Sequence, residues 1–145
     1  MLCRPDTFCY NLAMIIDSHT HIFPPHIKDS REKYVQSDSC FALLYSNKAA
    51  KLATAEELIQ SMDETGVDIS VALNIGWSSL DLCKETNDYI MESVARYPKR
   101  LIGFCSVVPD RSASAINEIE RCLAGGIKGV GEMRPEAGSF ELNDR

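Results

Sequence analysis

Histidine and tryptophan are scarce in this chain: its 145 residues carry three His and one Trp. No apolar run approaches the ~20 residues that a bilayer-spanning helix needs. No basic cluster exists either. Lys and Arg number 15 against 21 Asp and Glu, a formal net charge of −6. An acidic chain without a basic patch is a poor match for general nucleic-acid or anionic-membrane binding. The six cysteines form no C-x-x-C pair, and several sit in apolar periodic segments. Buried free thiols of a reducing compartment fit them better than a disulfide framework or a zinc ribbon, so the expected location is the cytoplasm. A Gly-rich phosphate loop, a nucleophile elbow and a Cys–His pair are all missing.

What is present is an ordinary globular balance, 45% apolar and 25% charged. The first 13 residues, MLCRPDTFCYNLA, are not expected to be a signal peptide. Arg4 is their only positive charge, and Asp6 and Asn11 interrupt the apolar stretch. They are expected to be an upstream extension, with Met14 as the natural start and residues 14–145 as one domain.

Four short apolar runs alternate with helical patterns. The first strand is Met14 to His19 or His21. A long irregular stretch follows to about Ala53, with one short helix expected at the apolar piece Phe41–Tyr45. Thr54-Ala-Glu-Glu57 is a capping box, and the helix that it opens stops at Gly66. Val67–Ile75 is the second strand. The second helix, about Leu80–Tyr97, carries an inward stripe of Leu80, Cys83, Ile90, Val94 and Tyr97, and Pro98 ends it. Leu101–Val108 is the third strand. The third helix, about Ser112–Ala124, is expected to bury Ala115, Ile116, Ile119, Cys122 and Leu123. Ile127–Met133 is the fourth strand. Strands two and three are nearly continuous apolar runs, as expected when both faces are covered. The order β-α-β-α-β-α-β predicts an α/β fold with four parallel strands. A complete eightfold (β/α) barrel takes ~250 residues, and this chain supplies about half.

All three histidines fall in MIIDSHTHIFPPH, at positions 19, 21 and 26. Residues two apart on a strand point the same way, so Asp17, His19 and His21 are expected to share a face with Ile15. At the end of a barrel strand, that face is the mouth where active sites form. Two imidazoles there can grip one divalent metal, zinc first, with manganese, iron or nickel as alternatives. Asp17 is placed to orient a ligand from behind. His26 is read as a loop residue.

Glu132 ends the fourth strand in GVGEMRPEAG and is the candidate third ligand, with Lys128 and Val130 on its face. Arg134 is a candidate binder of a substrate carboxylate or phosphate, or a rim partner of Glu132. Trp77, in the turn after strand two, is a candidate substrate contact or a packed loop anchor. Ser78 and Ser79 are helix-start residues. Asn74 and Ser106 are weaker candidates at the same rim. The glycines of GGIKGVGE follow a helix and open a strand, the reverse of a dinucleotide fingerprint.

With D-S-H-T-H in place, the chain resembles the N-terminal half of the amidohydrolase superfamily, metal-dependent TIM-barrel hydrolases. The supporting segments are IIDSHTHIFPP, YPKRLIGFCSVVP and GIKGVGEMRP, over about Met14 to Asp144. The branch that it resembles includes the aminocarboxymuconate-semialdehyde decarboxylase-like enzymes. GEMRP also resembles the G-E-x-G motif of TatD-like hydrolases. The resemblance implies His19 and His21 as metal ligands and Glu132 as a possible additional one. It implies a (β/α)8 barrel truncated here after strand four, and a small-molecule substrate. It places the general base and the remaining ligands on later strands, beyond this chain. Metal-assisted hydrolysis by a fragment with little activity of its own is the leading expectation, with metal-dependent decarboxylation as the alternative. The rival from another class is a non-catalytic α/β binding domain. An open sheet also exposes two edges, which leaves association into an oligomer open.

Overall fold

The computed structural model describes residues 14–109 and 113–134. The extension expected over residues 1–13 lies outside them. The elements are β1 (Ile16–His21), α1 (Pro25–Asp29), α2 (Arg31–Ser37), α3 (Ser39–Tyr45), α4 (Ala55–Thr65), β2 (Ile69–Leu73), α5 (Leu80–Arg96), β3 (Leu101–Cys105), α6 (Ala113–Ala124) and β4 (Gly129–Val130). The strands form one sheet in the order β1-β2-β3-β4, and every pair is parallel. Spatial order therefore follows chain order without a reversal, as in a barrel and unlike a doubly wound sheet.

Local chemistry sets the boundaries of α4. The Thr54 hydroxyl accepts from the Glu57 N–H, and the Glu57 carboxylate accepts from the Thr54 N–H. At the other end, Gly66 adopts φ 75°, a left-handed cap that a side chain would strain. Ser79 caps α5 as expected, whereas Ser78 donates to Asp38 instead.

The sheet buries one face. Ser70 and Ala72 of β2 and Leu101, Gly103 and Cys105 of β3 are buried, while Ile69, Val71, Ile102 and Phe104 between them are half-buried. Ala72, Leu101 and Cys105 join Ala55 and Met62 of α4, Ile90 of α5 and Cys122 of α6 in one core. Leu73, at the end of β2 on the opposite face, is buried as well, so the second face expected to be covered is covered in part among the described residues. Helices cover one face, and the opposite face is only partly closed.

Two helix stripes also differ from the periodic pattern. In α5 the buried residues are Cys83, Thr86, Asn87, Ile90 and Ser93. In α6, Ala115, Glu118 and Cys122 are buried, while Ile116 and Leu123 are exposed. Polar residues displace apolar ones here because they satisfy one another. Asn87 donates to the Glu118 carboxylate (2.8 Å) and to the Ser106 carbonyl (2.9 Å), and Arg121 grips Glu118 with two nitrogens at 2.8 Å.

The stretch expected to be irregular holds three short helices, α1 to α3, over a second core. Each is five to seven residues long, too short for a periodic signal and too short to persist without tertiary packing. Asp38 caps α3 through the Phe41 N–H and also accepts from Ser78 beyond β2. The core is aromatic: Phe41 stacks on Trp77 (centroids 5.3 Å, planes at 10°), and Phe23 meets Phe41, Tyr45 and Trp77 edge-on.

Strand four is shorter than the expected Ile127–Met133. After Val130 the chain leaves the ladder and crosses the C-terminal ends of its neighbours. Gly131 N–H donates to Cys105 O at the end of β3, and Glu132 N–H donates to Asn74 O beyond β2. The simple parity of Lys128, Val130 and Glu132 does not apply across this turn.

Candidate metal centre

Parallel pairing puts every strand C-terminus at one edge of the sheet. His19 and His21 lie at that end of β1, Asn74 follows β2, Ser106 follows β3 and Glu132 follows β4. Asn74 ties these ends together. Its fully buried amide donates to Ile22 O at 2.7 Å, its own oxygen accepts from Ile75 N–H, and its carbonyl receives the Glu132 N–H. Ser106 instead joins the Asn87–Glu118 network through its backbone.

On β1, three residue steps span two of β2 between the pairs Asp17–Ser70 and Thr20–Ala72. This irregularity breaks strict alternation. Asp17 lies in register with Ser70, on the helix-covered face, and His21 with Leu73, on the opposite one. The expectation that Asp17 stands behind the imidazoles is corrected accordingly: its Oδ1 accepts the His19 backbone N–H at 3.2 Å. Such bulges re-aim side chains beside functional sites.

The result is a convergence of three atoms. His19 Nε2 lies 3.0 Å from His21 Nε2, and Glu132 Oε2 lies 3.3 Å from the first and 3.2 Å from the second. A divalent ion ~2.1 Å from each ligand would set ligand separations of ~3.0 Å at right angles and ~3.4 Å at the tetrahedral angle. The three edges observed lie within that interval. Two imidazoles and one carboxylate suit zinc, manganese, iron or nickel, and three protein ligands leave a position open, as in catalytic sites. His19, at the outer edge, is 58% exposed in its side chain, while His21 and Glu132 are 18% and 24% exposed.

Burial, above all, pushes the His21 imidazole below its ordinary 6.5, and His19 and Arg134 act in the same direction against Glu132. A neutral ring with a lone pair at pH 7 is the form that binds metal. Its other nitrogen, Nδ1, lies 2.9 Å from the Tyr45 hydroxyl. Burial first, then the Glu132 charge, pushes that phenol up to about 12, so it is protonated at neutral pH. Tyr45 had no role in the sequence reading, where it merely ended an apolar run; nothing in its neighbours marks it.

Arg134 Nε lies 3.3 Å from Glu132 Oε1. One carboxylate oxygen of Glu132 thus faces the histidines and the other faces the guanidinium. Gly76 permits this approach: a Cβ there would come 2.9 Å from the Arg134 backbone nitrogen. Trp77 is 1% exposed and belongs to the aromatic core. It is the packed anchor, and the substrate contact expected of it is corrected by its burial. His26 sits in α1, paired with Glu85 and apart from the three-atom cluster.

The comparisons with known proteins follow this geometry. A family model described as Amidohydrolase matches residues 16–145. A 2-amino-3-carboxymuconate-6-semialdehyde decarboxylase from Dictyostelium discoideum is 30% identical over 134 residues, covering 77% of this chain and 37% of the relative. The crystal structure of a 5-carboxyvanillate decarboxylase from Novosphingobium aromaticivorans, complexed with manganese and a nitrobenzoic acid, is similar with a TM-score of 0.66. It is 22% identical and covers 81% of this chain and 40% of that one. A Staphylococcus aureus protein described as a putative amidohydrolase gives 0.56 at 25% identity, over 83% and 38% of the two chains. The chain thus spans about two-fifths of the length of the proteins that it matches.

Proposed function

This chain belongs to the amidohydrolase family, and from that premise we propose that it is the cation-binding portion of a metal-dependent decarboxylase acting on a small carboxylic acid. The observation that carries the reading is the convergence of His19 Nε2, His21 Nε2 and Glu132 Oε2 within 4.8 Å of one another. A divalent cation bound there supplies Lewis-acid polarisation of a substrate oxygen. His19 and His21 hold it through neutral rings, and Glu132 adds negative charge. Arg134, beside Glu132, is the residue that binds a substrate carboxylate, since a guanidinium fork matches two carboxylate oxygens.

The sequence put hydrolysis first. The names of the relatives support decarboxylation instead: both the matched Dictyostelium protein and the Novosphingobium structure are decarboxylases. Hydrolysis is the second reading, favoured by the glutamate after β4, the place that it holds in the hydrolase motif that GEMRP resembles. Zinc also yields first place. The donor set accepts manganese equally, and the Novosphingobium decarboxylase holds manganese. The cytoplasmic reading rests on buried free thiols at Cys40, Cys83, Cys105 and Cys122. Among the described residues, no helix is long and apolar enough to cross a membrane.

No histidine follows His26, and the resemblance places the remaining ligands on later strands. The 145-residue chain is therefore expected to bind cation and to turn over little by itself. Titration of the purified chain with Mn2+ and with Zn2+, beside His21→Ala, tests the site. Uptake by the parent and loss in the variant is the expected result. Equal uptake by both rejects the site and favours the non-catalytic binding domain.

A further inference from the structure

We propose that Tyr45 is a positioning residue for the cation ligand His21, holding the ring by Nδ1 so that Nε2 stays aimed at His19 and Glu132. The inference rests on the cation reading above and extends it to a residue outside the donor set.

Three observations place Tyr45 in this role. Its hydroxyl is 2.9 Å from His21 Nδ1, while His21 Nε2 faces Glu132 Oε2 at 3.2 Å. The two ring nitrogens are thus engaged on opposite sides, which fixes both the plane and the direction of the imidazole. The phenol ring is itself immobilised. Tyr45 is 8% exposed and packs against Phe23 (centroids 5.2 Å) and Phe41 (5.0 Å). Finally, it stands at the last position of α3, whose start is held by Asp38, itself tied to Ser78 beyond β2.

A hydroxyl both donates and accepts. When Nε2 is committed to a cation, the ring proton resides on Nδ1, and that N–H donates to the Tyr45 oxygen. Partners of this kind orient metal-binding histidines, and their loss costs about 10–100-fold in metal affinity. The aromatic layer of α1 to α3 is thereby joined to the site through one hydrogen bond. Removing the hydroxyl while keeping the ring separates this role from packing.

The test is Zn2+ affinity of the full chain and of Tyr45→Phe, measured by competition with a chelator, together with thermal unfolding of both without metal. The expected result is a dissociation constant raised about 10–100-fold in the variant. A merely structural hydroxyl would shift unfolding and leave affinity unchanged, and that outcome overturns the inference alone. If the parent chain takes up no Zn2+, the cation reading falls and this inference falls with it. Should Tyr45→Phe fail to fold, the parent decides by nitrogen-15 NMR of the Zn2+-loaded protein. A His21 Nδ1–H protected from exchange supports the role. Coordination through Nδ1, or a freely exchanging Nδ1–H, overturns it.

Discussion

His21 and Glu132 are 111 positions apart in sequence, yet His21 Nε2 stands 3.2 Å from Glu132 Oε2. Two features make the contact. Parallel strands bring the ends of β1 and β4 to the same edge of the sheet, and the segment after β4 crosses back over β3 and β2. Both are consequences of the ladder and of where it stops.

The close passage of that segment depends on Gly76. Gly76→Ala places a methyl carbon against the Arg134 backbone nitrogen, too near for either to stay. The displaced segment carries Glu132 with it. Cation affinity is expected to fall about tenfold, which corresponds to about 1.4 kcal/mol, with far less effect on the unfolding midpoint. Calorimetric titration with Mn2+ checks it, and an unaltered affinity would show that Glu132 is placed independently of this contact.

Trp77 gives a stability prediction. As a fully buried ring stacked on Phe41, its removal in Trp77→Ala is expected to cost about 3–5 kcal/mol. It is also the sole tryptophan, so native emission should be blue-shifted and move red on unfolding. Denaturant melts followed by fluorescence in the parent and by circular dichroism in both proteins measure this. A variant of parental stability would return Trp77 to the substrate-binding role.

Glu118 titrates in a direction that the structure fixes. Burial by itself would raise its carboxyl, but the Arg121 fork, the Asn87 amide and the Cys122 thiol outweigh it and hold the group below the ordinary 4.5. A carboxyl depressed in the folded state contributes stability that is present above its unfolded pKa and lost as pH falls through the folded one. Glu118→Gln should therefore be less stable than the parent at pH 7, by about 1–3 kcal/mol. The gap should shrink as pH drops below about 4. Urea melts at pH 7 and pH 3 test this; a gap of constant size would mean that Glu118 contributes by shape alone.

Thr54→Ala removes half of a capping box far from the cation site. A loss of about 1 kcal/mol is expected, as for other N-caps, with Mn2+ affinity unchanged. A parallel loss of affinity in this variant would indicate that any destabilisation weakens the site. The Gly76 result would then lose its local meaning.

Much of the frame was legible in the amino acids. Thr54 and Glu57 announced the start of α4, Gly66 its end, and Pro98 the end of α5. The apolar runs marked four strands, and the order β-α-β-α-β-α-β required parallel pairing. These signals are local: each rests on a residue acting within a few positions of itself. His19 and His21 were legible for the same reason, since both stand on one strand.

What the sequence could not decide involves distant partners. Glu118 buries itself in α6 because Asn87 and Arg121 are there to meet it, and Ile116 is left outside. Asp17 turns from the histidines because β1 gains a residue against β2, a matter of register between two segments. Tyr45 becomes a neighbour of His21 only when three short helices fold over an aromatic core. The sequence by itself marked the four strands, the three longer helices and the three candidate ligands His19, His21 and Glu132. Tertiary structure decided which polar groups converge, because a buried charge, a bulge or a ring nitrogen finds its partner only after the chain has brought remote segments together.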